Sequence, residues 1–161
     1  EHGTLMDESI FPLMKQYGTY LVPTIIAGRS AADSAKKPGY YPPMVTKKAL
    51  EIGPKIQNTF SKAYKAGVKI AFGTDAGVYA HGNNWMEFKY MQEAGMPLIE
   101  AIQSATLNAS DLMGTQAILG SIEKDKLADI IAVEGDPFTN IDQMGKVQFV
   151  MKDGVIYKHQ K

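Results

Sequence analysis

The sequence predicts an α/β fold in which buried parallel strands alternate with helices, followed by a small antiparallel β region. Two short apolar runs, 19–26 and 68–72, have the composition of parallel strands that are buried on both faces. A helical repeat lies between them, and the segment from residue 128 onwards changes to short strands with a hairpin signal. This succession indicates βα units over residues 1–118 and a β appendage over residues 119–161.

Composition narrows the classes of protein to consider. The 161 residues suit one domain, and fractions of 45% hydrophobic and 21% charged residues are normal for a globular protein. Seventeen basic residues balance seventeen acidic ones, which gives no electrostatic reason to expect nucleic acid or a membrane as a partner. Cysteine is absent, which excludes disulfides and thiolate metal sites, and no apolar run approaches the ~20 residues that span a bilayer. These features select no cellular compartment.

The first elements follow from capping residues and composition. Asp7 is placed to cap a short helix that Gly18 can close. The apolar segment 19–26 predicts a buried strand, although Pro23 removes one donor from its hydrogen-bond ladder. Segment 27–43 is rich in Gly, Ser, Ala and Pro and is predicted to be a long loop.

The middle of the chain predicts a helix, a strand and a loop. Apolar residues recur at three- and four-residue spacing over 45–66, which predicts an amphipathic helix that stops at Gly67 and kinks at Pro54. Val68–Phe72 is the next buried strand. It leads into the glycine-flanked loop Gly73-Thr74-Asp75-Ala76-Gly77.

Further helices are expected before the antiparallel strands. Asn84 and Glu87 resemble a capping box that opens a helix ending near Ala94. Pro97 suits the first position of a helix over 97–106, and one more helical turn is expected after it. Three short strands are predicted at 128–133, 147–151 and 155–157. Lys152-Asp153-Gly154 is a hairpin signal between the last two of these strands.

Asp75 is the residue that most strongly indicates chemistry. It follows a buried strand directly, and the active sites of parallel βα folds collect at the carboxyl ends of strands. Gly73 and Gly77 allow a ligand to approach the backbone closely. The alternative is that Asp75 caps the following turn, and its position alone does not decide between the two.

The histidines are candidates of unequal weight. His2 precedes a glycine, and a lone histidine is more often a packed or surface residue than a ligand. His81 lies in the loop after Asp75, where it can contact a substrate, whereas His159 in a lysine-rich terminus is expected to be inert. The sequence has no glycine-rich phosphate loop, no nucleophile elbow and no His-x-x-x-His pair. Chemistry would therefore depend on histidine and carboxylates, which suit zinc-bound water.

Short motifs follow one another in a recognisable order along nearly the whole chain. They are Glu1-His2-Gly3, Val22-Pro23-Thr24, the run from Ala66 to Gly77, His81-Gly82-Asn83-Asn84, Glu93-Ala94-Gly95-Met96, Ala105-Thr106-Leu107-Asn108-Ala109, Gly120-Ser121-Ile122-Glu123 and Lys126-Leu127-Ala128-Asp129-Ile130-Ile131. Together they resemble the carboxyl-terminal part of the amidohydrolase superfamily, in the group of Xaa-Pro dipeptidases, zinc carboxypeptidases and imidazolonepropionases. The resemblance implies the last strands and helices of a (β/α)₈ TIM-type barrel, plus strands of a small β-sandwich.

The resemblance also implies roles for individual residues. His2 matches the strand-six histidine that ligates one of two metal ions, for which zinc is the expected cofactor. Asp75 matches the strand-eight aspartate, which contacts the metal and passes a proton to the leaving amine. His81 matches a loop position suited to the substrate's carboxylate or carbonyl. The family's other ligands precede this sequence, and zinc generally has at least three protein ligands, so His2 and Asp75 cannot form the site alone.

Three hypotheses of function remain open. The first is a zinc-dependent hydrolase of C–N bonds, dipeptidase-like or carboxypeptidase-like, that acts on dipeptides or related small amides. Loop 27–43 would then set specificity, and Arg29 could pair with a substrate carboxylate. The second is a cyclic-amide or purine aminohydrolase of the same superfamily. The third is a catalytically inactive fragment that acts as an assembly module, because so few strands do not close a barrel and their edges demand pairing. We therefore expect an incomplete chain whose partner is the missing amino-terminal half or another copy of itself.

Overall fold

The computed structural model describes residues 1–160, which form helices around two small β-sheets. The helices are α1 (Phe11–Gln16), α2 (Ile25–Ala35), α3 (Pro43–Lys65), α4 (Met86–Glu93), α5 (Leu98–Ala105) and α6 (Leu107–Leu112), with 3₁₀ turns at Glu8–Ile10 and Ile141–Gly145. The strands are β1 (Tyr20–Leu21), β2 (Lys69–Ile70), β3 (Ile130–Val133), β4 (Val147–Lys152) and β5 (Val155–His159). Within residues 1–160, no helix has both the length and the apolar content that crossing a bilayer requires.

Strands β1 and β2 form a parallel pair inside the larger, helical part of the molecule. Tyr20 lies opposite Lys69, and Leu21 lies opposite Ile70. Leu21 and Ile70 are both buried in the core, together with apolar side chains of α2, α3 and α4. Because the two strands run in the same direction, their carboxyl ends meet at one edge of the sheet. The segments that follow β1 and β2 therefore begin side by side.

Helices α2 and α3 pack against each other through two glycines. A Cβ atom added to Gly53 would lie 2.6 Å from the carbonyl oxygen of Gly28 and 2.6 Å from the Cβ of Ala32. A side chain on Gly28 would lie 2.7 Å from Cγ2 of Ile56. The two backbones thus approach to a distance that glycine permits because it has no Cβ.

The second sheet is antiparallel and has the order β3-β4-β5. Strands β4 and β5 are joined by Asp153 and Gly154, whose φ values of 49° and 75° suit the mirror-image turns that connect right-handed twisted strands.

The turn Ile141–Gly145 lies against α4. Lys89 of α4 forms an ion pair with Asp142 at 3.2 Å, and Gly145 lies directly beneath the indole of Trp85, where a Cβ would come within 2.7 Å of the ring.

Several sequence predictions are confirmed. Asp7 accepts a hydrogen bond from the backbone N–H of Ser9 and caps the first helical turn. Helix α3 ends at Lys65, shortly before Gly67, which has a φ of 79°. The helix includes Pro54, and the kink expected there stays a prediction. The mixed α/β character and the hairpin at 153–154 are as expected, whereas the division of the chain at residue 118 stays a prediction.

Two predictions in the first third of the chain are wrong. The strand predicted over 19–26 ends at Leu21, and Ile25 and Ile26 already belong to α2. The long loop predicted over 27–43 is largely helical, since α2 extends to Ala35. Gly28, Ser30 and Ser34 interrupt the apolar residues of α2, and such residues are also common in loops. The helix packs closely on α3 at Gly28 and Gly53.

Candidate active site

His2 lies at the carboxyl end of β1 and is held there by two hydrogen bonds. Its backbone N–H donates to the carbonyl oxygen of Val22 at 2.9 Å, and Nδ1 of its ring lies 2.6 Å from Oγ1 of Thr24. The residue has a left-handed backbone with a φ of 61°, and its side chain is otherwise exposed. These contacts fix the ring at the edge of the sheet with Nε2 unengaged by any hydrogen bond within residues 1–160.

Thr24 is a buried residue in an uncommon conformation. Its φ is 52°, in the left-handed region that β-branched residues rarely adopt. Thr24 immediately precedes α2. The first two backbone N–H groups of that helix belong to Ile25 and Ile26, and they donate to the two carboxylate oxygens of Glu87 at 2.8 and 2.7 Å. Glu87 of α4 therefore caps α2, which lies 61 and 62 residues earlier in the chain.

Glu87 is a fully buried acid. Its side chain has no exposed surface, and burial raises its pKa to about 7, against the opposing effect of the two backbone N–H donors. The capping box predicted from Asn84 and Glu87 is wrong, because Glu87 caps a different helix. Asn84 instead donates through Nδ2 to Oγ1 of Thr74 at 3.0 Å.

Asp75 follows β2 at the same edge of the sheet as His2. Gly73 lies against Val22, since a Cβ there would be 2.3 Å from Cγ1 of that valine, and only a glycine fits. This close approach places the loop that carries Asp75 beside the segment that carries Thr24. Asp75 is exposed and has a φ of 50°, a conformation that aspartate adopts more readily than most residues.

His81 and its neighbours form the loop that follows Asp75. His81 is exposed, and it takes part in no hydrogen bond within the described residues. Tyr79 lies deeper in this loop, where burial raises its pKa. Tyr79 and Asn83 line a cavity of about 370 Å³ between this loop and α2, whose opposite wall includes Ser30. The cavity is a place where a small molecule could contact both the loop and the helix.

Arg29 is held by neighbouring helices. Its guanidinium forms an ion pair with Glu93, donates to Gln57 at 3.3 Å and lies 4.0 Å above the ring of Tyr90. No hydrogen bond or ion pair in residues 1–160 joins it to His2, Asp75 or His81. Its predicted role as a substrate ligand stays a prediction, and that role would require exchange of the Glu93 carboxylate for that of the substrate.

The donor atoms of His2 and Asp75 suit a zinc ion, because zinc in proteins binds imidazole nitrogen and carboxylate oxygen. Within residues 1–160, no group of three or more His, Cys, Asp or Glu side chains lies close enough together to hold a metal ion. The described residues therefore fit part of a zinc site and do not complete one.

Sequence reasoning missed two residues of this site. Thr24 is part of the Val22-Pro23-Thr24 motif, but nothing in that motif signals a left-handed backbone. The spacing of Glu87 from Asn84 fits a capping box and so predicts a local cap. The four-residue spacing of Glu87 and Met91, which puts both on one helix face, is the signal in the sequence, since a charged residue on an apolar face needs a partner.

The sequence of residues 1–157 matches the Amidohydrolase family model. The chain belongs to the amidohydrolase family. It superposes on the crystal structure of a Xaa-Pro dipeptidase with bound methionine in the active site, with a TM-score of 0.94 and 52% sequence identity over 98% of this chain and 39% of that one.

Other amidohydrolase relatives are more distant in sequence. A prolidase complexed with N-methylphosphonate-L-proline is 30% identical with a TM-score of 0.86, over 99% of this chain and 40% of that one. The ochratoxinase of Aspergillus niger is 31% identical over 98% of this chain and 33% of its own length. The chain thus spans 33% to 40% of the length of these two relatives.

Proposed function

We propose that this amidohydrolase chain is part of a zinc-dependent hydrolase that cleaves the C–N bond of a dipeptide. The observation that carries the proposal is the 52% identity and TM-score of 0.94 with a Xaa-Pro dipeptidase across 98% of the chain. That relative binds methionine, and the related prolidase binds a phosphonate of proline, whose tetrahedral phosphorus has the shape of an amide-hydrolysis intermediate. These ligands support an Xaa-Pro dipeptide, with Met-Pro as the first substrate to test.

We propose that β1 and β2 are neighbouring strands of a (β/α)₈ barrel and that β3–β5 belong to a small β-sandwich over residues 119–161. The parallel pairing of β1 with β2, with α2 and α3 between them in sequence, supports the barrel assignment. The active sites of such barrels lie at the carboxyl ends of the strands, which is where the segments with His2 and Asp75 meet.

In the proposed mechanism, His2 and Asp75 supply two of the protein ligands of zinc. Zinc bound there would polarise the scissile carbonyl group and acidify a water molecule. The carboxylate of Asp75, exposed on its loop, takes the proton of the attacking water and transfers it to the leaving nitrogen. His81 is assigned to the substrate's carboxylate or carbonyl oxygen, which an exposed histidine on the adjoining loop can reach.

A second candidate function has its own support. Because the described residues hold no group of three metal-binding side chains, residues 1–160 alone are expected to be catalytically inactive. Strands β1 and β2 are the whole of their sheet within this part of the chain, so each has a free edge that can pair with further strands. The chain alone would then act as an assembly module.

The test is the hydrolysis of Met-Pro by the full-length protein that contains this chain, with zinc present. We expect Asp75→Asn to lower kcat on the order of 10²–10⁴-fold, because the substitution removes the proton acceptor. Asp125→Asn is the matched control, since Asp125 is also exposed and left-handed, with a φ of 71°, but lies outside the site. Wild-type activity in Asp75→Asn, or no hydrolysis by the wild type, would contradict the proposal.

Zinc content separates the two candidate functions. The 161-residue chain is purified without added metal and analysed for zinc. Close to zero zinc and no hydrolysis support an inactive module, with the hydrolase activity confined to the longer protein. Stoichiometric zinc together with hydrolysis would show that other copies of the chain supply the remaining ligands.

A further inference from the structure

The side chain of Thr24 lies between the ring of His2 and a backbone carbonyl. Its Oγ1 is 2.6 Å from Nδ1 of His2 and 2.7 Å from the carbonyl oxygen of Pro23. Only 2% of Thr24 is exposed, so water does not compete freely for this hydroxyl. The buried hydroxyl therefore has two partners in the protein, Nδ1 of His2 and the carbonyl oxygen of Pro23.

The number of available protons decides the direction of both bonds. The carbonyl oxygen of Pro23 can only accept, and the hydroxyl of Thr24 has a single proton to donate. That proton is directed at Pro23, at the distance of a normal O–H···O bond. Oγ1 must then accept from His2, which requires a proton on Nδ1. The reverse arrangement would leave two acceptors 2.7 Å apart with no proton between them.

A strained backbone holds Thr24 in this place. A left-handed torsion in a residue of this type costs on the order of 1–3 kcal/mol and persists only where its surroundings over-determine it. Here the backbone N–H groups of the next two residues, Ile25 and Ile26, are held by the buried carboxylate of Glu87. The side chain of Thr24 lies next to Gly73: a Cβ added to that glycine would be 3.8 Å from Cγ2 of the threonine. The hydroxyl is thus set before any ligand binds.

We infer that Thr24 is a positioning residue that fixes the Nδ1–H tautomer of His2 and directs the lone pair of Nε2 outward from the protein. The value of this for catalysis rests on the proposed function, in which His2 ligates zinc. Metal-binding histidines are generally oriented by a hydrogen bond from their second ring nitrogen. The tautomer itself is a property of this chain and does not depend on whether zinc binds.

The test is ¹⁵N NMR of the full chain, recorded without metal at a pH about two units above the ordinary histidine pKa of ~6.5. The chain has three histidines, so His2→Gln identifies the His2 signals by their loss. We expect Nδ1 to be the protonated nitrogen and Nε2 the unprotonated one. Observation of the Nε2–H tautomer in the wild type would overturn the inference without any need for a variant.

Two variants of Thr24 provide the comparison. Thr24→Val keeps the branched shape and removes the acceptor, so the His2 signals are expected to shift to those of a tautomer mixture. Thr24→Ser keeps the hydroxyl and is expected to restore the wild-type tautomer. Unchanged signals of His81 and His159 show that the rest of the chain is intact. If Thr24→Val has the wild-type His2 spectrum, Thr24 does not set the tautomer.

Zinc affinity separates this inference from the proposed function. In the full-length protein, Thr24→Val is expected to weaken zinc binding on the order of 10–100-fold, measured by competition with a chelator, while Thr24→Ser retains it. If the Nδ1–H tautomer is present and the protein binds no zinc, the proposed function fails and the tautomer assignment stands. If zinc binds and His2 is protonated on Nε2 in its metal-free state, this inference fails and the proposed function stands.

Discussion

Three of the five non-glycine residues with a left-handed backbone in residues 1–160 lie at the candidate site. His2, Thr24 and Asp75 have φ values of 61°, 52° and 50°. Histidine and aspartate adopt this region more often than most residues, but a β-branched threonine does so rarely. The strain at Thr24 is offset by the hydrogen bonds that Glu87 makes to the start of α2. A buried acid more than sixty residues away in sequence thus supports the residue that orients His2.

The buried carboxylate of Glu87 predicts a decrease in stability with rising pH. Its pKa rises from 4.5 to about 7 on folding because burial disfavours the charge, so the folded state binds this proton more tightly than the unfolded state. The stabilisation is complete below pH 4.5 and is lost as the pH rises through about 7. We expect the free energy of unfolding to fall by about 3 kcal/mol over this interval from Glu87 alone.

Urea unfolding at a series of pH values measures this contribution as the difference between the wild type and Glu87→Gln. The variant cannot titrate at this position and is expected to lack the decrease. Glu93→Gln is the control, because it removes a carboxylate from the exposed end of the same helix and leaves Glu87 in place. Parallel curves for the wild type and Glu87→Gln would show that Glu87 has nearly the same pKa in both states.

At the scale of elements, the sequence predicted those structures whose causes are local. Helix α3 has an apolar face that recurs every three or four residues, and the β4–β5 turn depends on Asp153 and Gly154 alone. Helix α2 has no comparable signal. Its start depends on Thr24 adopting a positive φ and on a carboxylate supplied by α4, and neither is visible in the sequence around Ile25. The predicted strand therefore extended too far, and the predicted loop replaced a helix.

The contact between α2 and α3 predicts an unusual response to alanine. In an exposed helix, Gly→Ala is favourable by about 1 kcal/mol. At Gly53 the added Cβ would lie 2.6 Å from a backbone oxygen of Gly28, which cannot move without shifting a helix. Overpacking of this kind costs roughly 1–3 kcal/mol, so Gly53→Ala is expected to lower the free energy of unfolding despite its higher helix propensity.

Gly28→Ala is the matched comparison, measured by the same thermal or denaturant unfolding. Its nearest neighbour would be a methyl group of Ile56 at 2.7 Å, and the nearest backbone atom would be 3.4 Å away. A side chain can adjust where a carbonyl group cannot, so we expect a smaller loss than at Gly53. A gain in stability for Gly53→Ala would mean that the two helices separate freely.

At the scale of the whole molecule, the candidate site is assembled from segments far apart in sequence. The position of Asp75 followed from the strand before it, since the end of a buried parallel strand is a recurrent place for function. The assignment of His2 came from the family resemblance. The bond between His2 and Thr24, and the cap on α2, could not be predicted because they join residues 22 and 61–62 positions apart in the sequence. Pairing across such separations leaves no periodic pattern in sequence.

The contact between the turn Ile141–Gly145 and the helical body offers a direct optical test. Trp85 is the only tryptophan, and it lies over Gly145, where a Cβ would be 2.7 Å from the indole. Gly145→Ala is expected to displace the indole towards solvent, shift its emission to longer wavelength and cost about 1–3 kcal/mol through overpacking. Asp142→Asn is the control: it removes the exposed ion pair with Lys89, worth about 0–1 kcal/mol, and should leave the emission unchanged. Wild-type emission from Gly145→Ala would mean that the turn Ile141–Gly145 does not lie against Trp85 in solution.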